Sequence, residues 1–376
     1  MTIVSKPALQ LQCHTPGIGS PLCCHLRPLP LETLQRSKRC RDQRNELIAM
    51  DEDQLMTVTA VQLDAQVASF LRQLEEQAPT PLSDLTPAQA RRVSNPFMQA
   101  LSQPPREGIT IANLLIPEVP SSVFLRVYTP GGPGPFPILI FFHGGGWVLS
   151  TVEIYDGLCA ALAEQAGCLV VSVNYRLAPE YKFPAGLEDC YRATQWIREH
   201  THSLNGDAQR IVVGGDSAGG NLAAVVARLC RDRRVTTGEA PLRGQLLLYP
   251  VTDLASLQFP SYRAFGQGYF LTQTSMVWFR KHYLNSLVDC LNPNVSPLLA
   301  EDLRHLPPAY VLTAGFDVLR DEGQLYAARL REAGNPVKHR CYESMIHGFL
   351  GMDAILTVAE QAIAETAVEL RALFAN

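Results

Sequence analysis

No stretch of this sequence is apolar over the roughly 20 residues that a membrane-spanning helix needs. The first residues also lack the apolar core of a secretory signal peptide. The net charge is −4 over 376 residues, which gives no general reason to expect nucleic acid or an anionic membrane as a partner. We therefore expect no nucleic-acid partner and no stable insertion into a membrane.

The ten cysteines follow no disulfide or metal-binding pattern. The spacing of Cys13-His14 and Cys23-Cys24-His25 matches no zinc site, so no metal is expected. In a chain of this length, cysteines within predicted helices and strands indicate reduced core thiols and a cytoplasmic location. Six of the ten lie in such segments: Cys159, Cys168, Cys190, Cys230, Cys290 and Cys341.

Residues 1–50 differ from the rest of the chain. They combine four cysteines, several prolines and the basic run Arg36 to Arg44, a composition typical of disordered segments. Met50 and Met56 follow directly, which leads to the hypothesis that translation of the natural gene starts at one of them. Residues 1–50 are therefore predicted to be a disordered or non-native tail.

Residues 51–105 are predicted to form N-terminal cap helices. Apolar residues from Leu63 to Leu74 recur at helical spacing. Thr86, Pro87 and Gln89 then have the pattern of a helix start: a capping threonine, an early proline and a glutamine at the third position. These helices could cover a pocket or simply pack against the main domain.

Residues 106–376 alternate between predicted strands and helices. Ile109 to Ile116 and Val123 to Tyr128 form a predicted hairpin, and the βα alternation that follows indicates a mostly parallel sheet flanked by helices. An aromatic-rich segment at about 252–306 interrupts the alternation. Because insertions between sheet strands usually lie at the rim where substrates bind, we assign it to a helical cap.

Gly215-Asp-Ser-Ala-Gly219 fits the pattern G-x-S-x-G between a predicted strand, Ile211 to Val213, and a predicted helix. This is the context of a nucleophile elbow, a sharp turn that exposes a serine at the top of a parallel sheet. Ser217 is therefore the candidate nucleophile.

His143-Gly-Gly-Gly-Trp147 follows directly on a predicted buried strand. Backbone N–H groups of Gly144 and Gly145, together with that of Ala218, could converge on a developing negative oxygen as an oxyanion hole. A flexible loop or a phosphate cradle is the alternative. The lysine of G-x-x-x-x-G-K-[ST] and the spacing of G-x-G-x-x-G are both missing, which disfavours a nucleotide.

A serine nucleophile needs an imidazole base that a carboxylate orients. Asp317 and His347 each follow a predicted strand, at the same rim as Ser217 and in the chain order Ser, Asp, His. Asp321 is the competing carboxylate, but Asp317 lies nearer the strand end and is preferred. Asp321 could instead cap the helix that follows.

Together these motifs resemble those of the hormone-sensitive-lipase family of α/β-hydrolases, the bacterial family IV esterases. The resemblance extends from about Leu63 to the C-terminus. It rests on His143-Gly-Gly-Gly, Asn174-Tyr-Arg-Leu-Ala-Pro-Glu180 with Phe183-Pro-Ala185, Gly215-Asp-Ser-Ala-Gly219, Asp317-x-Leu-Arg-Asp-Glu322 and Ile346-His-Gly-Phe349.

The resemblance implies an α/β-hydrolase fold and a serine carboxylesterase acting on small-molecule esters of short to medium acyl chains. It implies Ser217, Asp317 and His347 as the triad, and Gly144, Gly145 and Ala218 as the oxyanion hole. It further implies an N-terminal cap, no cofactor and, as an expectation, a homodimer. Asn174 to Glu180 is expected to shape the rim through buried ion pairs, and Val318 stands where the family usually has proline.

Three other functions are compatible with parts of this pattern. A ligand-binding receptor on a hydrolase fold usually lacks the histidine, and His347 is present. An amidase or peptidase would use the same triad, so the motifs do not separate amides from esters. A long-chain lipase is disfavoured because no strongly apolar surface segment is evident in the sequence.

Overall fold

The computed structural model describes residues 61–117 and 122–376. The predictions for the tail, 1–50, and for Met50 and Met56 lie outside those residues. One eight-stranded sheet, with the order β1-β2-β4-β3-β5-β6-β7-β8, organises the chain. Its strands are β1 Thr110–Ile116, β2 Val123–Thr129, β3 Phe136–Phe142, β4 Leu169–Asn174, β5 Gly206–Asp216, β6 Gly244–Leu248, β7 Ala309–Phe316 and β8 Val337–Ile346.

The predicted hairpin and the predicted parallel sheet are both confirmed. β1 pairs antiparallel with β2, and β2 pairs antiparallel with β4. All the other neighbours are parallel, so the carboxyl ends of β3 to β8 share one rim. At that rim Phe142 of β3 is in register with Gly215 of β5.

The helices cover both faces of the sheet, as the apolar character of its central strands requires. Every residue of β3 is buried. The helices are α1 Ala65–Gln77, α2 Pro87–Leu101, α3 Asp156–Ala166, α4 Ala185–Glu199, α5 Ala218–Thr237, α6 Pro260–Phe265, α7 Gln273–Tyr283, α8 Arg320–Glu332 and α9 Thr357–Ala375. The side chains of β3 alternate between two cores: Ile140 packs in the core that includes α4 and α5, and Phe141 packs in the core that includes α3 and α9.

The two predicted N-terminal helices are present as α1 and α2. Asp64 caps α1 by accepting hydrogen bonds from the first-turn amides. The predicted start of α2 is confirmed, because Thr86 and Gln89 form a reciprocal capping box. The N-terminal helices meet the 252–306 insertion where Trp278 Nε1 of α7 donates to the carbonyl oxygen of Leu85 at 3.1 Å. The division into cap and catalytic domain remains a prediction.

Two further observations concern membranes and metals. Within residues 61–117 and 122–376, no helix combines the length and apolarity required to cross a bilayer. The same residues contain no cluster of three or more histidine, cysteine or acidic side chains that could hold a metal ion. The six cysteines in this part of the chain are free thiols, five of them buried.

Candidate active site

The turn between β5 and α5 holds Ser217 in a strained conformation. Its backbone φ is +54° and its ψ is −118°, in a region that residues with a β-carbon rarely adopt. The flanking glycines are required by close packing against the end of β3. A β-carbon on Gly219 would lie 1.8 Å from the carbonyl oxygen of Phe142, and one on Gly215 would lie 2.3 Å from the same atom. Only glycine therefore permits the turn to approach β3 this closely.

The structure brings Ser217, Asp317 and His347 together. His347 Nε2 lies 2.9 Å from Ser217 Oγ, and His347 Nδ1 lies 2.7 Å from Asp317 Oδ2. Asp317 is 1% exposed and His347 is 7% exposed. A proton on Nδ1 that is donated to the carboxylate leaves Nε2 free to accept the serine hydroxyl proton, which is the arrangement a general base needs.

The competing carboxylate, Asp321, is engaged elsewhere. Its Oδ1 accepts from Arg320 Nε at 2.8 Å, and its Oδ2 accepts from the backbone N–H of Ser261 at 2.7 Å. Asp321 lies in the first turn of α8, but the N-cap is Leu319 and has no side-chain capping hydrogen bond, so the alternative that Asp321 caps this helix is wrong. Val318 is buried, and its carbonyl oxygen accepts a hydrogen bond from Ser261 Oγ at 2.6 Å. A polar anchor thus holds the loop that carries Asp317, without the proline usual at position 318.

The hydrogen bonds of the glycine loop bear on the predicted oxyanion hole. The N–H of Gly144 donates to Asp216 Oδ1 at 2.8 Å and also lies 3.0 Å from Tyr155 Oη. This N–H, which the sequence analysis predicted as an oxyanion donor, thus already has a buried carboxylate as its acceptor. The N–H groups of Gly145, Gly146 and Ala218 make no hydrogen bond within the described part of the chain. They are the donors that remain available at this rim.

Asp216 and Tyr155 are site residues that the sequence analysis missed. Tyr155 Oη donates to Asp216 Oδ2 at 3.0 Å, so the carboxylate bridges the elbow, the glycine loop and the turn before α3. Asp216 occupies a variable position of G-x-S-x-G, so the motif alone does not indicate that its side chain has a role in the site. Burial raises the pKa of this carboxyl from its ordinary value of 3.8 to about 6.

The pKa of Asp216 predicts how stability should change with pH in an Asp216→Asn variant. The unfolded carboxyl ionises near 3.8 and the folded one near 6, so wild type loses stability as pH rises through this interval. Asparagine carries no charge and avoids this loss. From pH 4 to pH 7 the variant should therefore gain about 2.5 kcal/mol relative to wild type.

Urea unfolding of both proteins at several pH values measures this difference directly. Other titrating groups are common to the two proteins and cancel in the comparison. A stability difference that stays constant across the interval would contradict the assigned environment of Asp216.

His143 fixes the start of the glycine loop. Its ring stacks on Tyr175 at a centroid distance of 4.5 Å, and its Nδ1 lies 2.8 Å from the carbonyl oxygen of Gly144. Tyr175 Oη donates to the carbonyl oxygen of His143 at 2.8 Å. Burial lowers the pKa of His143 to about 4. The ring is thus neutral at pH 7 and acts on the loop through packing and hydrogen bonds.

The segment from Asn174 to Glu180 contributes ion pairs to the rim, and only one of them is buried as predicted. Arg176 Nε donates to Asp189 Oδ2 at 2.8 Å, and the Asp189 side chain is 2% exposed. Glu180 instead pairs with Arg91 of α2 at 2.7 Å while its side chain remains 53% exposed. This second pair joins the rim to an N-terminal helix.

Aromatic side chains of the insertion cover the glycine loop. A β-carbon on Gly146 would lie 2.1 Å from the ring of Phe279 in α7. Trp147 stacks on Tyr283 at 4.2 Å with the ring planes 4° apart. The glycine loop after β3 and helix α7 of the insertion therefore pack directly against each other at the site.

Comparison with known proteins agrees with this fold. A family described by the alpha/beta hydrolase fold matches residues 139–351. A carboxylic ester hydrolase of Mycobacterium tuberculosis, LipN, is 45% identical over 251 residues, which are 66% of this chain and 66% of that protein. The esterase LipI of the same organism is 37% identical over 72% of this chain and 84% of its own length.

A solved structure is also similar over most of the chain. It is an ester hydrolase from the metagenome of Lake Arreo, in complex with a derivative of bipyridine phosphonate. The identity is 38%, the TM-score is 0.79, and the match covers 84% of this chain and 100% of that one.

The chain belongs to the α/β-hydrolase fold family. Within that class it is a carboxylic ester hydrolase of the hormone-sensitive-lipase type, the family IV carboxylesterases.

Proposed function

We propose that this enzyme hydrolyses short- to medium-chain acyl esters through a covalent acyl-enzyme intermediate. Ser217 is the nucleophile, His347 the general base and acid, and Asp317 the carboxylate that orients the imidazole. One observation carries the proposal: a buried imidazole contacts the serine hydroxyl with Nε2 at 2.9 Å and a carboxylate with Nδ1 at 2.7 Å.

The reaction proceeds in two acyl transfers. His347 removes the hydroxyl proton while Ser217 Oγ attacks the ester carbonyl carbon. The tetrahedral oxyanion then collapses, His347 protonates the leaving alcohol, and the acyl group remains bonded to Oγ. Water enters, loses its proton to His347 and attacks the acyl carbon, which releases the acid and restores the serine. Asp317 stabilises the imidazolium that forms in each half.

The oxyanion is held by the N–H groups of Gly145, Gly146 and Ala218. Ala218 is the first residue of α5, so its amide also lies at the positive end of a helix dipole. Asp216 supports this arrangement indirectly, because it anchors Gly144 and so fixes the backbone from which the next two amides project. Each such donor contributes about 10²–10³-fold to the rate in related chemistry.

The substrate is a small-molecule ester, in keeping with the ester-hydrolase relatives described above. A phenylalanine lies on each of two sides of the site. Phe279 covers the glycine loop, and Phe270 lies near Gly348, beside the catalytic histidine. The ring of Phe270 packs against Phe70 of α1 at 5.9 Å. These aromatic side chains bound the space for the acyl and alcohol groups. We propose that they favour short to medium acyl chains.

Labelling with a fluorophosphonate tests the proposed nucleophile. An activated serine attacks phosphorus and displaces fluoride, so wild type should take up about one equivalent, mapped by mass spectrometry to the peptide that contains Ser217. The similar ester hydrolase from Lake Arreo was solved in complex with a derivative of bipyridine phosphonate. A Ser83→Ala variant, which alters an exposed serine, should label fully. Absence of labelling in the folded wild type would favour a ligand-binding receptor on this fold.

A further inference from the structure

The insertion carries a group of large apolar side chains that no other part of the described chain covers. Leu287, Val288 and Leu291 are 71%, 74% and 64% exposed. They lie in the 3₁₀ helix Leu287–Leu291, which follows α7 after a short turn. Isolated exposed leucines are ordinary, but three large apolar side chains exposed within five residues concentrate apolar surface at one place, as interaction sites do.

Tyr181 extends this surface from a second segment. Its side chain is 52% exposed. The chain beside it is hydrogen-bonded to the turn that precedes the 3₁₀ helix: the N–H of Phe183 donates to the carbonyl oxygen of Tyr283 at 2.9 Å, and Asn285 Nδ2 donates to the carbonyl oxygen of Phe183 at 2.7 Å. We call Tyr181, Leu287, Val288 and Leu291 the cap apolar patch.

Two lysines adjoin the cap apolar patch. Lys182 Nζ donates to the carbonyl oxygen of Leu284 at 2.8 Å, which places it at the base of the turn. Lys281 is exposed and makes no ion pair within residues 61–117 and 122–376. Burial is the main cause that lowers the pKa of His282, and the positive charges of Lys281 and Lys182 lower it further. These three side chains therefore lie close together.

The acidic side chains nearby are already occupied. Asp289 Oδ2 accepts the N–H groups of Asn285 and Ser286 at 3.0 and 2.9 Å, which caps the 3₁₀ helix. Glu180 forms its ion pair with Arg91. Asp289 keeps its negative charge, because its hydrogen-bond partners are neutral amides. Lys182 and Lys281 together still leave this local surface with a small excess of positive charge beside exposed apolar side chains, although the whole chain carries a net charge of −4.

The size of the patch decides between two kinds of partner. A stable protein dimer buries about 800 Å² on each partner, contributed by about 20–30 residues. Four exposed side chains supply much less. Contact with a lipid surface needs only a few inserted apolar side chains with basic residues beside them, because anionic headgroups attract the basic residues.

We propose that the cap apolar patch docks this protein reversibly on an anionic lipid membrane. Leu287, Val288 and Leu291 enter the boundary between headgroups and acyl chains, and the ring of Tyr181 lies at headgroup level, where amphipathic aromatic rings favour the interface. Lys182 and Lys281 face the lipid phosphates. The docking does not depend on the catalytic assignment, and it requires no membrane-spanning segment.

The position of the patch links it to the active site. α7 leads into the 3₁₀ helix, and the same α7 packs Phe279 against Gly146 and Tyr283 against Trp147. Membrane contact at the patch would thus be made by the part of the cap that covers the glycine loop.

Vesicle sedimentation tests the proposal with the full chain. At low salt, wild type should pellet with vesicles of equal parts phosphatidylglycerol and phosphatidylcholine, and far less with phosphatidylcholine alone. The triple change Leu287→Ser, Val288→Ser and Leu291→Ser should weaken binding to the anionic vesicles about tenfold or more. The double change Lys182→Gln and Lys281→Gln should weaken it about 25-fold, at about fivefold for each lysine, and high salt should mimic that loss.

Two matched controls separate the patch from general surface effects. Val235→Ser removes an apolar side chain that is 81% exposed near the end of α5, away from the patch. Lys338→Gln removes an exposed lysine at the start of β8. Both should bind vesicles as wild type does, and unfolding midpoints should confirm that every variant is folded.

Three results would overturn the proposal. They are no binding of wild type to anionic vesicles, equal binding to phosphatidylcholine alone, and equal binding by the patch variants and the controls. Sedimentation velocity provides a fourth: a dimer of wild type that the triple change dissociates would make the patch a contact between copies of this chain.

Discussion

Replacing Ser217 with alanine should lower kcat for p-nitrophenyl butyrate by about 10⁴-fold or more, because without Oγ no acyl-enzyme can form. The remaining turnover would come from water activated by His347 within the intact donor loop. The variant should fold, because alanine removes only the hydroxyl of the side chain. The backbone at position 217 is held by its own N–H, which donates to the carbonyl oxygen of Leu248 at 2.8 Å.

The Ser83→Ala protein, which changes an exposed serine of the N-terminal region, should retain the wild-type rate. Assays on p-nitrophenyl esters from acetate to palmitate locate the acyl-chain preference at the same time, and wild type should be fastest on the shorter half of the series. Near wild-type hydrolysis by the Ser217→Ala protein would remove the basis for the catalytic assignment.

Replacing Asp317 with asparagine should lower kcat by about 10³–10⁴-fold with little change in KM. The amide can donate to His347 Nδ1, which stabilises the tautomer whose Nε2 carries the proton and cannot accept one from Ser217. It also no longer stabilises the imidazolium. The loss therefore falls on the chemical steps and not on substrate binding.

Asp321→Asn is the matched control, since it makes the same chemical change four residues away. That carboxylate pairs with Arg320 and anchors the N–H of Ser261, so the variant should lose stability but keep most of its kcat. If the two variants exchanged behaviour, Asp321 would be the orienting carboxylate. Steady-state kinetics together with urea unfolding of both variants distinguish these cases.

The sheet and its order of elements could be predicted because the central strands are apolar throughout and turn residues separate them. Strand ends were less accessible. The fifth strand was predicted from Ile211 to Val213, yet β5 begins at Gly206, which pairs with Phe136 of β3. The polar residues Asp207 to Arg210 lie in a register shift between that pair and the pair of Ile138 with Ile211, so no apolar pattern marks them. The sequence pattern likewise predicts the last strand from Val337 to Tyr342, but pairing with β7 extends β8 to Ile346.

The triad positions could be predicted because chain order and strand ends define one rim. The oxyanion donors could not be assigned one by one. Three consecutive glycines identify a loop, but which N–H points outward depends on what the first one contacts, and its contact is Asp216 from another strand. Asp216 is part of the elbow motif in the sequence, but only the three-dimensional structure shows that its carboxylate binds the N–H of Gly144.

The exposed cap residues are a second example. Leu287, Val288 and Leu291 are apolar, and in a sequence such residues are assigned to the core. Asp289 and Cys290 lie between Val288 and Leu291, and the cysteine is buried. The sequence analysis accordingly found no apolar surface segment, and only the exposed fractions revealed it.

Phe142 of β3 and Gly215 of β5 are paired in register in adjacent strands. The glycine loop begins one residue after Phe142, and the turn that carries Ser217 begins one residue after Gly215. The separation between Ser217 and the amides of the glycine loop is therefore set by the spacing of two β-strands, about 4.8 Å, and by the absence of a β-carbon at Gly219. The insertion is packed on the loop side of this gap, through Phe279 against Gly146 and Tyr283 against Trp147. A change in the insertion is therefore felt first by the glycine loop, whereas the sheet keeps the two strand ends at a fixed distance.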